Sequence, residues 1–291
     1  MTKSFKVAGH CFNFDLPASD TLWDRMGQYS PFAVEHEPSP LFSIRLVDSL
    51  PEVPMEKVYG GGEGPGEPVI MLYRTPDGWV FETSPFSGQP VCARIHADGS
   101  FSDARLQILQ PSFRLFSLNN AAMLMFAFST APLGTLEMHA SVIENGGRAF
   151  LWLAKSGTGK STHSQLWLKH IPGSRLLNDD NPIVRLNPDG TPEVYGSPWS
   201  GKTPCYINRH CPAGAFVQIR RSPENRIERL GVFESYAMVF SSSSGLKTDP
   251  AMADHMHSTF EKIATTVPCY NLFCRPDEEA ARVCAAELLG K

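Results

Sequence analysis

The stretch Leu151–Leu168, LWLAKSGTGKSTHSQLWL, runs an apolar segment into a glycine-bracketed turn and then into a helical pattern. A turn entering a helix gathers backbone N–H groups that point inward, and a lysine and hydroxyls at the junction add a cation and a metal ligand. Those are the groups that the phosphates of a nucleoside triphosphate need. The stretch fits the phosphate-loop pattern G-x-x-x-x-G-K-[ST], with Ala154 in place of its first glycine. Gly157 and Gly159 allow the backbone to close on the phosphates, flanked by Ser156 and Thr158. Lys160 is expected to neutralise the β and γ oxygens and Ser161 to ligate the metal, with Thr162 one residue deeper.

A phosphate loop alone says only that a nucleotide binds. The second motif, LLNDDNP, sets Asp179 and Asp180 after an apolar run about twenty residues beyond Lys160, enough for one short helix and one strand. Two adjacent carboxylates at a strand end can divide the work, one holding magnesium on the phosphates and the other taking a proton from an attacking hydroxyl. An Asp-Asp-Asn run before Pro182 also makes an ordinary helix cap or turn. Beside the phosphate loop, the chemical reading is the stronger of the two.

Around these motifs the pattern is strand, turn and helix. EMHASVIENGG suggests a hairpin, RAFLWLA a buried strand, GKSTHSQLWLKHI a helix stopped by Pro172 and Gly173, and RLLNDDNPIVRL a strand ending in the two aspartates. A loop-rich segment through YGSPWSGKTPCYINRHCP leads to a strand GAFVQIRR, a helix after Leu230 and a serine-rich loop SSSSG. A helix around Met252–Thr265, a strand CYNLFC and a helix from Asp277 to Leu289 complete the chain.

Upstream, Phe5 to about Leu109 offers short β-type runs separated by Pro, Gly and Asp turns. Within it, GGGEGPGEP at Gly60–Pro68 has too much glycine and proline to pack and reads as a hairpin tip or loop. Ser112–Pro132 reads as a largely buried helix, with Leu115, Leu118, Ala122, Met125 and Phe126 on overlapping faces. The expected division is therefore a β-rich or α+β domain over 1–110, a connecting helix over 111–134 and a phosphate-loop domain over 135–291.

In their order, MHASVI, KSGTGKST and LLNDDNPIV resemble the C-terminal domain of the HPr kinase/phosphorylases and, more distantly, the nucleotide-binding part of phosphoenolpyruvate carboxykinase. The resemblance spans Glu137 to about Leu230, and more weakly to the C-terminus, and implies an α/β or α+β fold of the phosphoenolpyruvate carboxykinase type for that part; the smaller β-rich N-terminal domain is read from its own residues and shows no clear likeness to the family's. It implies that His139 faces the γ-phosphate or metal. It also matches Asp179 and Asp180 to the paired aspartates, one of which serves as general base for an acceptor serine in the bifunctional kinases. After the aspartates those kinases carry a segment of the type ERGLGIIN, whereas this chain has YGSPWSGKTPCYINR, Tyr195–Arg209.

In that segment Lys202 would clamp the transferring phosphoryl group opposite Lys160, and Trp199 would wall the pocket, unless the loop is a surface turn with a packed tryptophan. Arg220, Arg221, Asn225 and Arg226 either reach phosphates or an acidic acceptor, or form surface ion pairs. His163, just inside the helix, is expected to pack or cap.

Composition narrows the field. In a chain of 291 residues, 42% apolar and 19% charged residues suffice for a sizeable core, and a net charge of −4 without any run of lysine or arginine argues against nucleic acid as a partner. The first residues lack the apolar core of a signal peptide, and no window reaches the roughly 18 apolar residues of a membrane span, so a cytoplasmic protein is expected. Seven cysteines, at 11, 92, 205, 211, 269, 274 and 284 and without a CxxC pair, read as reduced packing residues.

The expectation that emerges is an ATP- and magnesium-dependent kinase acting on a hydroxyl, either serine in a protein or peptide or a serine-like small molecule. The catalytic residues would be Asp179, Asp180, His139 and Lys202, with Ser161 and Asp180 on the metal and the N-terminal domain selecting the acceptor. A homo-oligomer is compatible with the family likeness. The alternative is an ATP-binding regulatory module without chemistry.

Overall fold

The computed structural model describes residues 1–62, 68–201, 203–247 and 249–290. It is a mixed α/β structure built on two large mixed sheets. The chain divides into two units, Met1–Ser129 and Thr130–Lys291.

The first unit carries β1 (Thr2–Val7), β2 (His10–Asp15), α1 (Leu22–Arg25), β3 (Ala33–Val34), β4 (Phe42–Val47), β5 (Glu56–Gly61), β6 (Val69–Thr75), β7 (Gly78–Ser84), β8 (Ala93–Asp98), β9 (Asp103–Ile108) and α2 (Arg114–Thr130). Its strands form one sheet in the order β3-β1-β2-β4-β9-β8-β7-β6-β5. The helix α2 packs on that sheet: Leu118, Ala122, Met125 and Phe126 are fully buried, while Leu115 is half-buried. Phe126 meets the edge of Phe12, and Phe128 lies 4.9 Å from Phe101, contacts whose area and ring geometry hold the helix down. Of the hairpin tip or loop expected over Gly60–Pro68, Gly60 and Gly61 instead belong to β5, which pairs antiparallel with β6 through Met71 and Ile70. Residues 63–67 of that stretch lie outside the described residues.

The second unit carries β10 (Thr135–Glu137), β11 (Ala140–Asn145), β12 (Arg148–Leu153), α3 (Lys160–His170), β13 (Arg175–Asn178), β14 (Ile183–Leu186), β15 (Pro192–Tyr195), β16 (His210–Arg221), β17 (Arg226–Arg229), α4 (Val232–Ser242), α5 (Pro250–Thr266), β18 (Cys269–Cys274) and α6 (Glu278–Leu289). Gly146 and Gly147, both at positive φ, make the turn of the β11–β12 hairpin, as two-residue loops of the favoured hand require. β12 is central, antiparallel to β11 and parallel to β16, which in turn is parallel to β18.

The two faces of this sheet are covered by different helices, and the alternation along β12 follows from that. Leu151 and Leu153 turn to the cluster containing Met238, Val239, Met256, Phe260 and Ile263 of α4 and α5. Phe150 and Trp152 turn to the cluster containing Trp167 of α3 and Ala280, Ala281 and Cys284 of α6. A strand buried on both faces reads as a continuous apolar run, which is why RAFLWLA shows no polar alternation. The consequence for the site is a rigid strand end that fixes where residue 154 begins.

RLLNDDNPIVRL divides into β13 and β14, with Asp179–Pro182 in the bend between them. Pro182 has no N–H to give a ladder, and β14 begins only at the next residue, Ile183. Every cysteine is a free thiol and all but Cys11 are buried. Burial pushes the Cys205, Cys211, Cys269 and Cys274 thiols up to about 11. Among the described residues no helix is long and apolar enough to cross a membrane.

Candidate phosphate-transfer site

The loop from Ala154 to Gly159 joins the end of β12 to the start of α3. Gly157 (φ 72°) and Gly159 (φ 134°) hold conformations that a side chain resists, and a Cβ built on either meets no heavy atom within 4 Å. The glycines are thus required by the backbone, and the space beside them is open. The first turn of α3 leaves its amides without intrahelical partners, the first intrahelical bond into the loop being His163 N to Gly159 O at 2.9 Å. Ser156, Thr158, Ser161 and Thr162 lie along this loop and first turn, with Thr158 N bonded back to Lys155 O at 3.1 Å.

Lys160 points back over the loop. Its side chain is buried, and its Nζ donates to Ala154 O at 3.1 Å and lies 2.8 Å from His139 Nε2. His139 Nε2 in turn lies 3.4 Å from Asp180 Oδ1, with the His139 and Asp180 side chains 45% and 36% exposed. Three of the residues expected from the sequence, Lys160, His139 and Asp180, are therefore brought together at a surface that solvent reaches.

Asp179 occupies a different place. It is buried; Ser141 Oγ donates to its Oδ1 at 2.8 Å and Thr203 N to its Oδ2 at 3.1 Å. Ser141 gives its one hydrogen to Asp179, so Ser164 of α3 must donate to Ser141 across their 2.5 Å contact. This relay ties α3, β11 and the loop after Ser200 to one carboxylate. The 197–201 segment is knitted to the same bend, because Asn178 Nδ2 donates to Ser197 Oγ and Trp199 O, each at 3.1 Å, and Asn178 Oδ1 accepts from Asp180 N. Trp199 is buried. A Cβ on Gly201 would stand 2.9 Å from Asp179 O and 3.2 Å from the Asp180 Cβ, so only glycine fits there without a shift. Lys202, the expected second clamp, lies outside the described residues.

The strand-like segment 137–140 is held on two sides. Met138 N and Ala140 N donate to Pro182 O and Asp180 O, while His139 N donates to Ser242 O and Ser244 N to Glu137 O. The serine-rich run thus borders His139, a proximity that no local pattern in the sequence announces. It also encloses Glu137, whose Oε2 is buried and has no hydrogen-bond partner among the described residues. Burial, reinforced by the charge of Asp180, pushes the Glu137 carboxyl up to about 8. His163 is buried, accepts from Trp167 Nε1 at 3.1 Å and is pushed down by burial to about 3, so it packs as a neutral ring.

The donors available suit an anion accompanied by a divalent cation. The first-turn amides and the Lys160 ammonium are donors of the kind phosphate oxygens take, while the Ser161 hydroxyl and the half-exposed Asp180 carboxylate are hard oxygen ligands of the kind magnesium takes. Among the described residues no cluster of three or more His, Cys, Asp or Glu side chains could hold a metal by itself. A cation here would need the phosphates as ligands.

No family model and no curated protein matches the chain. Among solved structures, it is similar to the Hpr(Ser) kinase/phosphatase from Coxiella burnetii at 10% identity, over 53% of this chain and 97% of that one, with a TM-score of 0.31. A likeness at that score leaves the functional reading to rest on the site's own geometry.

Proposed function

We propose that the protein is a kinase that transfers the γ-phosphate of ATP to a hydroxyl, serine in a protein or peptide or a serine-like small molecule. The observation that carries the reading is the contiguity of Lys160, His139 and Asp180 at 2.8 and 3.4 Å beside the phosphate loop. A module that only senses nucleotide needs the lysine and a metal ligand such as Asp180; it has no use for an imidazole placed against both.

In this mechanism Lys160 leaves Ala154 O and His139 for the outer phosphate oxygens, where charge grows during transfer. Magnesium, held by Ser161 and one oxygen of Asp180, would neutralise the β and γ oxygens. The other oxygen of Asp180 receives the acceptor's proton as its oxygen bonds to phosphorus and the bond to the β-phosphate oxygen breaks, giving ADP. His139, released by Lys160, pairs with Asp180 and keeps it oriented. Asp179 stays buried and holds the bend in place, so the two aspartates divide between anchoring and chemistry.

The test is magnesium-dependent transfer of label from γ-labelled ATP to free serine and to the proteins of a cell lysate, with Lys160→Ala as comparison. Label on an acceptor, lost in Lys160→Ala, supports a kinase. Tight ATP binding without transfer to any acceptor supports the regulatory module instead.

A further inference from the structure

Arg221 ends β16, the strand parallel to β12, so its side chain leaves the sheet beside the phosphate loop. Its Nη2 donates to Gly157 O at 2.6 Å and its Nε to Thr158 O at 3.3 Å. Two consecutive loop carbonyls are therefore held by one planar guanidinium, a fork that lysine cannot reproduce. Its neighbours are engaged elsewhere: Arg220 donates to Asn271 Oδ1, Arg226 lies over the Phe273 ring, and Asn225 bonds Asp277 and Glu279.

The peptide bond makes this contact directional. In a trans peptide the C=O and the following N–H point opposite ways, so fixing Thr158 O toward Arg221 turns the Gly159 N–H away from it. That amide immediately precedes the first-turn amides of α3. Gly159 at φ 134° has no side chain to bias its orientation, and Thr158 N is already committed to Lys155 O. The outside of the loop is thus secured by Arg221, and the inside by Lys160 on Ala154 O.

We propose that Arg221 is a positioning residue that grips the phosphate loop from outside and sets the Gly159 amide toward the bound triphosphate. The inference rests on the nucleotide-binding reading of the loop. It concerns a residue that touches the loop's backbone rather than the reacting atoms. It predicts that the arginine matters for polyphosphate and very little for the nucleoside part of the ligand.

The experiment measures the affinities of magnesium-ATP and of adenosine for the wild type, Arg221→Ala, Arg221→Lys and Lys160→Ala, together with the melting temperature of each without ligand. Arg221→Ala is expected to weaken ATP about tenfold or more, as the loss of charged hydrogen bonds implies. Adenosine affinity and melting temperature should hold, and Arg221→Lys should recover only part of the loss. Wild-type ATP affinity in Arg221→Ala, or full recovery in Arg221→Lys, overturns the proposal while Lys160→Ala still shows that the loop binds nucleotide. If the wild type fails to bind ATP, the nucleotide reading falls and this inference with it.

Discussion

The Nζ of Lys160 lies 2.8 Å from Nε2 of His139, a ring nitrogen that also faces Asp180 Oδ1 at 3.4 Å. One nitrogen cannot accept from the ammonium and donate to the carboxylate at the same time. The arrangement therefore changes when Lys160 turns to phosphate, and His139 becomes free to donate to Asp180. His139→Ala should lower the transfer rate about 100-fold, the range of a lost acid–base partner, while ATP affinity falls far less than in Lys160→Ala. Separate determination of kcat and ATP affinity checks this, and an equal loss of affinity in both variants would contradict it.

Asp179 takes hydrogen bonds from Ser141 and Thr203 in the interior. Asp179→Ala removes both acceptors and leaves the Thr203 N–H and the Ser141 hydroxyl without this partner. It should cost about 1–3 kcal/mol of stability, the penalty of leaving a buried polar group unsatisfied. Urea unfolding measures it, and an unchanged midpoint would remove Asp179 from its anchoring role.

Gly201 lies against the aspartates, with no room for a methyl group beside Asp179 O and the Asp180 Cβ. Gly201→Ala should shift the Asp180 carboxylate and reduce transfer about tenfold or more, because small misplacements at a reacting centre are costly. Melting temperature should change little by comparison. Full activity in this variant would show that the position of Asp180 does not depend on the segment.

Glu137 gives a pH dependence of defined sign. Its folded value of about 8 lies above its ordinary value of 4.5, so between those pH values the folded chain keeps a proton that the unfolded chain releases. The stability it contributes is complete below pH 4.5 and is lost as pH rises toward about 8. Glu137→Gln removes the titration, so its melting temperature should gain on the wild type steadily across that range. Parallel curves for the two proteins would contradict the assignment.

Much of the fold can be read locally. The apolar run at Arg148–Leu153, the glycine turn and the amphipathic continuation announce β12, the loop and α3, and each boundary has its own cause in Gly159 or Pro172. Helices α4, α5 and α6 are likewise signalled by their apolar spacing, and Asp277 caps the last by accepting from Ala280 N. The division between Asp179 and Asp180 is not local, since it depends on Ser141 and Ser164 arriving from β11 and α3. The same holds for Arg221, which reaches Gly157 only through the parallel pairing of β16 with β12, and for Glu137, enclosed by the distant serine run. Motif spacing carries chemistry along the chain, but which of two adjacent carboxylates faces solvent is decided by tertiary packing.

The most direct test compares wild type with Asp180→Asn for both ATP binding and magnesium-dependent transfer of the γ-phosphate to an acceptor. The expected result is ATP affinity within a few-fold of wild type and a transfer rate reduced about 100-fold or more, as removal of a general base implies. An Asp180→Asn protein that transfers phosphate at the wild-type rate would contradict the account, as would a wild type that binds ATP and phosphorylates nothing.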